Sequence, residues 1–102
     1  MLLSINQIDM ITQQEFIEKA SQIHSYKSVS GVEYANVTVN GGKLTGTRQS
    51  TGKPFEISLS KLYLGYKTLT ENGQKITTSA LKPFVDRVQS PSLGLLDAMG
   101  LL

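Results

Sequence analysis

The side chains best suited to chemistry in this sequence are cations that flank predicted turns between strands. Lys43, Arg48 and Lys53 are close to such turns, Gln49 adjoins Arg48, and Lys61 follows in a predicted helix. Cationic side chains bind phosphate groups, and an amide such as that of Gln49 can read a base edge. The candidate nucleic-acid-binding residues are therefore Lys43, Arg48, Gln49, Lys53 and Lys61.

Tyrosines accompany these cations along the chain. Tyr34, Tyr63 and Tyr66 have Arg48, Lys61 or Lys67 as basic companions. Aromatic rings among cations can stack on bases while the cations bind phosphate. Amphipathic tyrosines more often pack in a core with their hydroxyls at its rim, and this second interpretation is favoured.

The charge distribution also favours binding of a polyanion such as nucleic acid, although weakly. The net charge is only +2, but residues 41–87 hold eight of the ten Lys and Arg side chains and three of the eight Asp and Glu side chains. A basic segment of this kind indicates either a surface for polyanions or an ordinary solvated face, and the second is the more common.

The segment Gly46–Lys53 superficially resembles a phosphate-binding loop. Such a loop has four residues between its glycines, a Ser or Thr after its Lys, and a helix next in the chain. Here five residues separate Gly46 from Gly52, and Pro54 and a predicted strand follow. A charged turn between strands explains the segment better.

Residues for catalysis or metal binding are sparse. Cysteine is absent and His24 is the single histidine, placed by prediction at a helix end where the dipole favours imidazolium. The sequence contains no His-x-x-x-His pair to start a metal site. We therefore expect a protein that is not an enzyme and that needs no metal and no cofactor.

Alternating apolar residues predict a three-stranded antiparallel meander. Val37 and Val39 alternate with polar residues, and the alternation resumes at Leu44 and again over residues 55–59. Asn40-Gly41 is a strong hairpin signal, to which Gly42 adds a bulge. Gly46 in the middle strand is expected to admit a neighbouring side chain closely. Glu56 should face outward and pair with Arg48 across the strands.

Helices are predicted on both sides of this sheet. Thr12 and Glu15 form a capping-box pattern at the start of a helix over residues 13–25. A second helix begins after Ser58 or Ser60 and ends near Asn72-Gly73. A third, short helix begins either at residues 77–78 or at Pro83, because proline disrupts a helix interior.

The last predicted helix is apolar on nearly all sides. Ser90 and Pro91 are typical of the N-cap and first helical positions, and Gly100 ends the helix after Met99. Such a helix is either inserted between the sheet and the other helices or covered by a second copy of the chain. The candidate interface residues are Leu93, Leu95, Leu96, Met99 and Leu102.

These patterns predict one α+β domain over residues 1–102, with an N-terminal helix, a three-stranded meander and two or three C-terminal helices on one face of the sheet. Residues 1–9 resemble neither a signal peptide nor a membrane span, which favours a soluble cytoplasmic protein. Two functions remain open. One is a binding module for nucleic acid, and the other is a protein-interaction or self-associating module.

Overall fold

The computed structural model describes residues 10–102, so the expectation about a leader or span in residues 1–9 lies outside the described residues. A helix, a four-stranded antiparallel sheet and three further helices follow one another within residues 10–102. They are α1 (Gln13–Ser21), β1 (Tyr26–Lys27), β2 (Glu33–Asn40), β3 (Lys43–Arg48), β4 (Lys53–Ser58), α2 (Leu59–Glu71), α3 (Thr78–Leu81) and α4 (Gln89–Ala98). The strand order is β1-β2-β3-β4. The α+β class is confirmed, with four strands where three were predicted.

The hairpin between β2 and β3 turns on two glycines. Asn40 pairs with Lys43, and the residues between them, Gly41 and Gly42, have φ angles of 62° and 78°. Two successive residues with positive φ match the twist of the flanking strands, and glycine takes this conformation without steric cost. Gly42 is therefore part of the turn, rather than a bulge beyond it.

A bulge in β2 occurs where the simple alternation did not show one. The pairing with β3 shifts between Ala35 and Thr38, and Asn36 takes a left-handed φ of 55°. The Val37 amide donates instead to the His24 carbonyl, at 3.1 Å. The extra residue keeps Tyr34 and Val37 on the same side of the sheet and links β2 to the segment that precedes β1.

One face of the sheet forms the core and the other faces solvent. Tyr34, Val37, Leu44 and Ile57 are buried on the inner face together with residues of the helices. Alternate residues point outward, as the period of a strand requires. Exposed outward-facing side chains include Thr38, Thr45, Lys43 and Glu56.

The predicted partner of Glu56 was wrong. Glu56 does face outward, but its carboxylate lies 3.2 Å from the Lys43 ammonium rather than beside Arg48. The strand register explains the difference, because Arg48 lies at the opposite end of β3 from Lys43, where it pairs with Lys53. A strand rises about 3.3 Å per residue, so Lys43 and Arg48 are separated by about 17 Å along β3.

The first helix has the predicted start and an earlier end. The Glu15 amide donates to the Thr12 hydroxyl at 3.1 Å, and the Thr12 amide donates to the Glu15 carboxylate at 2.8 Å. The helix ends at Ser21 because Tyr26–Lys27 must be extended to pair with β2. His24 therefore follows the helix, and the prediction that placed it at the helix end was wrong.

The next two helices follow their predicted signals. The Ser58 hydroxyl caps the start of α2 by accepting a hydrogen bond from the Lys61 amide. The helix ends at Glu71, and Gly73 follows with a φ of 66°. α3 is a four-residue turn capped by Thr77, so the alternative that began before Pro83 is the one observed. Within residues 10–102, no helix is both long enough and apolar enough to cross a membrane.

The last helix is inserted within the fold, where it packs against β1 and α3. It begins earlier than predicted, because Val88 rather than Ser90 is its N-cap and Pro91 is its third residue. Proline is tolerated there because the amides of the first turn have no intrahelical acceptor. Leu95 and Leu96 are fully buried. Of the two alternatives for this apolar helix, the structure shows insertion within the chain.

Candidate functional site

A concave site lies where the β3–β4 connection approaches the start of α4. It is a cavity of about 270 Å³. The strand side contributes Arg48, Lys53 and Phe55, and the helical side contributes Arg87 and Val88. The sheet and the last helix therefore build this site together.

Three cations from separate segments converge on this cavity. Arg48 ends β3, Lys53 begins β4, and Arg87 lies in the connection between α3 and α4. No carboxylate lines the cavity. Within residues 10–102 the ion pairs are Lys27–Glu33 and Lys43–Glu56, so none of the three cations has a described carboxylate within 4.0 Å. The local charge is therefore positive.

A buried hydroxyl without a partner belongs to the same site. Tyr34 lines the cavity and is 1% exposed, and its ring packs 5.0 Å from the rings of both Tyr26 and Phe55. Among the described residues, the Tyr34 hydroxyl has no hydrogen-bond partner. A buried hydroxyl that lacks a partner costs about 1 to 3 kcal/mol.

The beginning of α4 also borders the cavity, through Val88 and Pro91. Val88 has no side-chain acceptor, and no side chain caps this ten-residue helix. The first amides of a helix carry partial positive charge and need acceptors from outside the helix. The Val88 amide, however, donates to the Val85 carbonyl at 3.1 Å, and Pro91 has no N–H group, so the helix residues that border the cavity offer it no free amide.

The cavity therefore holds positive charge without a matching carboxylate. Arginine and lysine side chains interact well with the oxygens of an anion. The arrangement suits the binding of an oxyanion such as phosphate.

Only part of the predicted set of cations meets at this site. Arg48 and Lys53 do, whereas Lys43 is at the other end of β3 and is paired with Glu56. Lys61 lies in the first turn of α2, close to the strand end that pairs with Lys43. The structure therefore divides the predicted cations between two ends of the sheet.

Gln49 lies beside the site without lining it. Its side chain is exposed, and its backbone amide donates to the backbone carbonyl of Glu33 at 2.9 Å. It borders shallow grooves with Ser30 and Ala35 instead. Gln49 is thus placed to touch a ligand that extends out of the cavity toward the outer face.

Sequence reasoning missed Arg87 as a site residue. Arg87 follows Asp86 in a short connection. Its backbone φ of 73° is uncommon for any residue other than glycine. It reaches the site only because α4 packs back onto β1. No spacing relative to Arg48 or Lys53 in the sequence indicates this approach.

The tyrosines of α2 belong to the core. Tyr66 is buried, with its ring centroid 5.9 Å from that of Phe16. Tyr63 is half-buried, and its hydroxyl donates to the Ile11 carbonyl at 2.7 Å. The favoured interpretation, aromatic packing in the core, describes both residues, and the Tyr63 hydroxyl lies at the rim of that core.

The candidate interface residues of the last helix are mostly internal. Leu95, Leu96 and Met99 are buried among residues of the same chain, so the folded chain does not present them to a partner. Leu93 is half-buried and Leu102 is 56% exposed. These two border a separate apolar groove of about 540 Å³, together with Val29, Ile76 and Leu101.

No cluster of three or more His, Cys, Asp or Glu side chains that could hold a metal ion occurs in residues 10–102. Comparisons with protein-family models, curated proteins and solved structures find no match for this chain.

Proposed function

We propose that this protein is a non-catalytic binding module for nucleic acid, which it holds through phosphate groups at Arg48, Lys53 and Arg87. The observation that carries the proposal is the convergence of these three cations on one cavity that no carboxylate lines. Each cation that neutralises a phosphate releases condensed counterions, which drives association.

Weak sequence preference follows from the same residues. Contacts to phosphate position a nucleic acid but carry no direct sequence information. Gln49 is the exposed amide beside the site and offers one contact to a base edge. Most of the affinity should therefore be shared by all sequences and should decrease as salt is added.

Fluorescence anisotropy with labelled mixed-sequence DNA and RNA oligomers at low salt tests the proposal. The double variant Arg48→Glu, Arg87→Glu reverses two charges at the cavity. The matched control, Lys61→Glu, Lys67→Glu, makes the same change in net charge on exposed positions of α2. We expect the first variant to lose binding and the control to retain it.

Two outcomes would contradict the proposal. One is the absence of binding by the parent protein at micromolar concentration. The other is an equal loss of affinity in the two double variants, which would show that net charge rather than the cavity attracts the nucleic acid.

A second candidate function is self-association, favoured by the apolar groove between the end of the chain and the connection after α2. Val29 is 62% exposed and Leu102 is 56% exposed at its border. Sedimentation velocity at high protein concentration tests this candidate. Val29→Glu, Leu102→Glu should dissociate an oligomer, while Leu64→Glu on the exposed side of α2 should not. A parent protein that sediments as a monomer removes this candidate.

A further inference from the structure

We propose that the cavity holds one unpaired nucleotide of a single-stranded nucleic acid, with its phosphate on the cations and its base against Phe55. This inference rests on the proposed function and specifies the class of its ligand. Its basis is the placement of an aromatic ring beside two cations on the same face of the sheet.

Arg48 and Lys53 mark the position of the phosphate. The two residues are paired directly opposite each other in the β3–β4 ladder, and no carboxylate lines the cavity beside them. Like charges in this arrangement repel and destabilise a sheet. An anion between them would offset the repulsion, and Arg87 lines the same cavity from the helical side. One phosphate of a nucleic acid supplies that anion.

Phe55 lies next to these cations on the same face of the sheet. It is two residues beyond Lys53 in β4, and residues at this spacing share a face and are separated by about 7 Å. The half-buried ring packs 5.0 Å from the Tyr34 ring, and an added Cβ on Gly46 would lie 2.8 Å from it. The ring is therefore held in place at the wall of the cavity. A nucleotide whose phosphate lies at Lys53 can bring its base to this ring.

The rest of the cavity also suits a nucleotide. Val88 and Pro91 add apolar surface from the helical side. The volume of about 270 Å³ is several times larger than a phosphate and is close to the low end of the range for small-molecule pockets, about 300 to 1,000 Å³. A nucleotide has a charged end and an aromatic end, which match the cations and the apolar wall.

A single strand can use both parts of the cavity, and a duplex cannot. In a duplex each base is paired and stacked on its neighbours, so its ring faces are not free to pack against a protein. Proteins that bind single strands combine a cationic surface for the backbone with aromatic side chains on which bases stack. Guanidinium planes such as those of Arg48 and Arg87 can also stack on unpaired bases. The cavity combines these groups.

Fluorescence anisotropy compares a labelled mixed-sequence DNA oligomer with its duplex and with a fully abasic strand of the same length. The abasic strand keeps every phosphate and lacks every base, so it measures binding through the backbone alone. Packing of one base on an aromatic side chain is worth a factor of about 5 to 140 in affinity. We expect the single strand to bind at least about fivefold more tightly than the abasic strand, and more tightly than the duplex.

Phe55→Leu removes the ring and keeps an apolar side chain at the cavity. Its affinity for the single strand should fall by about fivefold or more, while its affinities for the abasic strand and the duplex stay unchanged. Phe84→Leu is the matched control, because Phe84 is also half-buried and packs over a glycine, Gly65, away from the residues that line the cavity. Denaturant titrations check that both variants are folded. If Phe55→Leu does not fold, the comparison of strands by the parent protein decides alone.

Equal affinity of the parent protein for the single strand and the abasic strand would overturn the inference and leave the proposed function standing, because phosphate contacts would then explain the binding. A duplex that binds as tightly as the single strand, or more tightly, would also overturn it. So would an equal loss of single-strand affinity in Phe55→Leu and Phe84→Leu. If no oligomer binds at all, the proposed function itself fails, and the inference fails with it.

Discussion

The Tyr26 hydroxyl donates a 2.8 Å hydrogen bond to the Pro91 carbonyl, across 65 residues of sequence. This bond joins β1, the shortest strand at one edge of the sheet, to the first turn of α4. Pro91 also lines the cationic cavity. The position of the helix, and with it the helical side of the cavity, is therefore tied directly to the sheet.

Removing this bond should destabilise the protein. Tyr26→Phe keeps the ring but loses one buried hydrogen bond, which is expected to reduce the free energy of unfolding by about 1 kcal/mol. Tyr34→Phe is the matched control, because its buried hydroxyl has no partner among the described residues, so its removal should leave the free energy of unfolding unchanged or raise it. Denaturant titrations of the two variants measure the difference. Equal stability of both variants would show that the Tyr26 bond contributes nothing.

Alkaline pH should also destabilise the fold through Tyr26. Burial, with a smaller contribution from neighbouring Tyr34, raises the pKa of Tyr26 far above its ordinary value of 10.0. Above pH 10 the unfolded chain loses this proton while the folded chain keeps it, so the free energy of unfolding decreases as the pH rises. Tyr26→Phe should flatten that decrease in denaturant titrations above pH 10. A decrease equally steep in the variant would contradict the prediction.

Gly94→Ala should be destabilising although alanine favours helices. An added Cβ at Gly94 would lie 2.8 Å from the Cα of Ser28 and 3.0 Å from the Lys27 carbonyl oxygen. These are backbone atoms that cannot rotate away, so overpacking of about 1 to 3 kcal/mol should exceed the gain of about 1 kcal/mol in helix propensity. At Gly65 the Cβ would lie 2.9 Å from Cγ and 3.1 Å from Cβ of Phe84, atoms at the base of that side chain. Gly65→Ala should therefore also be destabilising, and thermal unfolding of the two variants measures both effects.

Two substitutions test which residues act as the N-caps of α1 and α4. Thr12→Ala should cost about 1 kcal/mol, because Thr12 accepts a hydrogen bond from the Glu15 amide. Ser90→Ala should change stability by less than about 0.5 kcal/mol, because Val88 occupies the N-cap position of α4. Denaturation midpoints measure both effects. A large loss for Ser90→Ala would place the start of α4 at Ser90 after all.

Nucleic-acid binding should depend on salt through the three cavity cations. For single strands, the logarithm of affinity decreases with the logarithm of salt concentration by about 0.7 for each phosphate neutralised. Arg87→Ala should reduce the magnitude of this slope by about 0.7, and Lys61→Ala should leave it unchanged. Anisotropy titrations at several salt concentrations measure the slopes. An unchanged slope for Arg87→Ala would exclude a phosphate contact at that residue.

Local signals were sufficient for much of the fold. The Thr12 capping box, the Asn40–Gly42 turn and the Ser58 cap each depend on residues a few positions apart, and the structure contains all three. Gly46 was expected to admit a close neighbour, and an added Cβ there would lie 2.8 Å from the Phe55 ring. Patterns of this range are readable because the interacting groups are neighbours in the chain.

Sequence patterns predicted the structure less well wherever a residue interacts with a partner that is distant along the chain. The two-residue strand Tyr26–Lys27 is too short for an alternating pattern, and it exists because β2 lies beside it. Its formation ends α1 at Ser21. The bulge at Asn36 likewise depends on a hydrogen bond from Val37 to the preceding segment. These features come from pairing between separate parts of the chain, which propensity does not encode.

The α+β class, the hairpins and an apolar last helix were predictable from the sequence, because they depend on local periodicity and turn chemistry. The burial of this helix within its own chain, against β1 and α3, depends on packing between distant segments and was not predictable in the same way. The same packing brings Arg87 to Arg48 and Lys53 and leaves Lys43 at the far end of β3. Which cations meet is a matter of strand register and helix placement, and both are set by burial across the whole core.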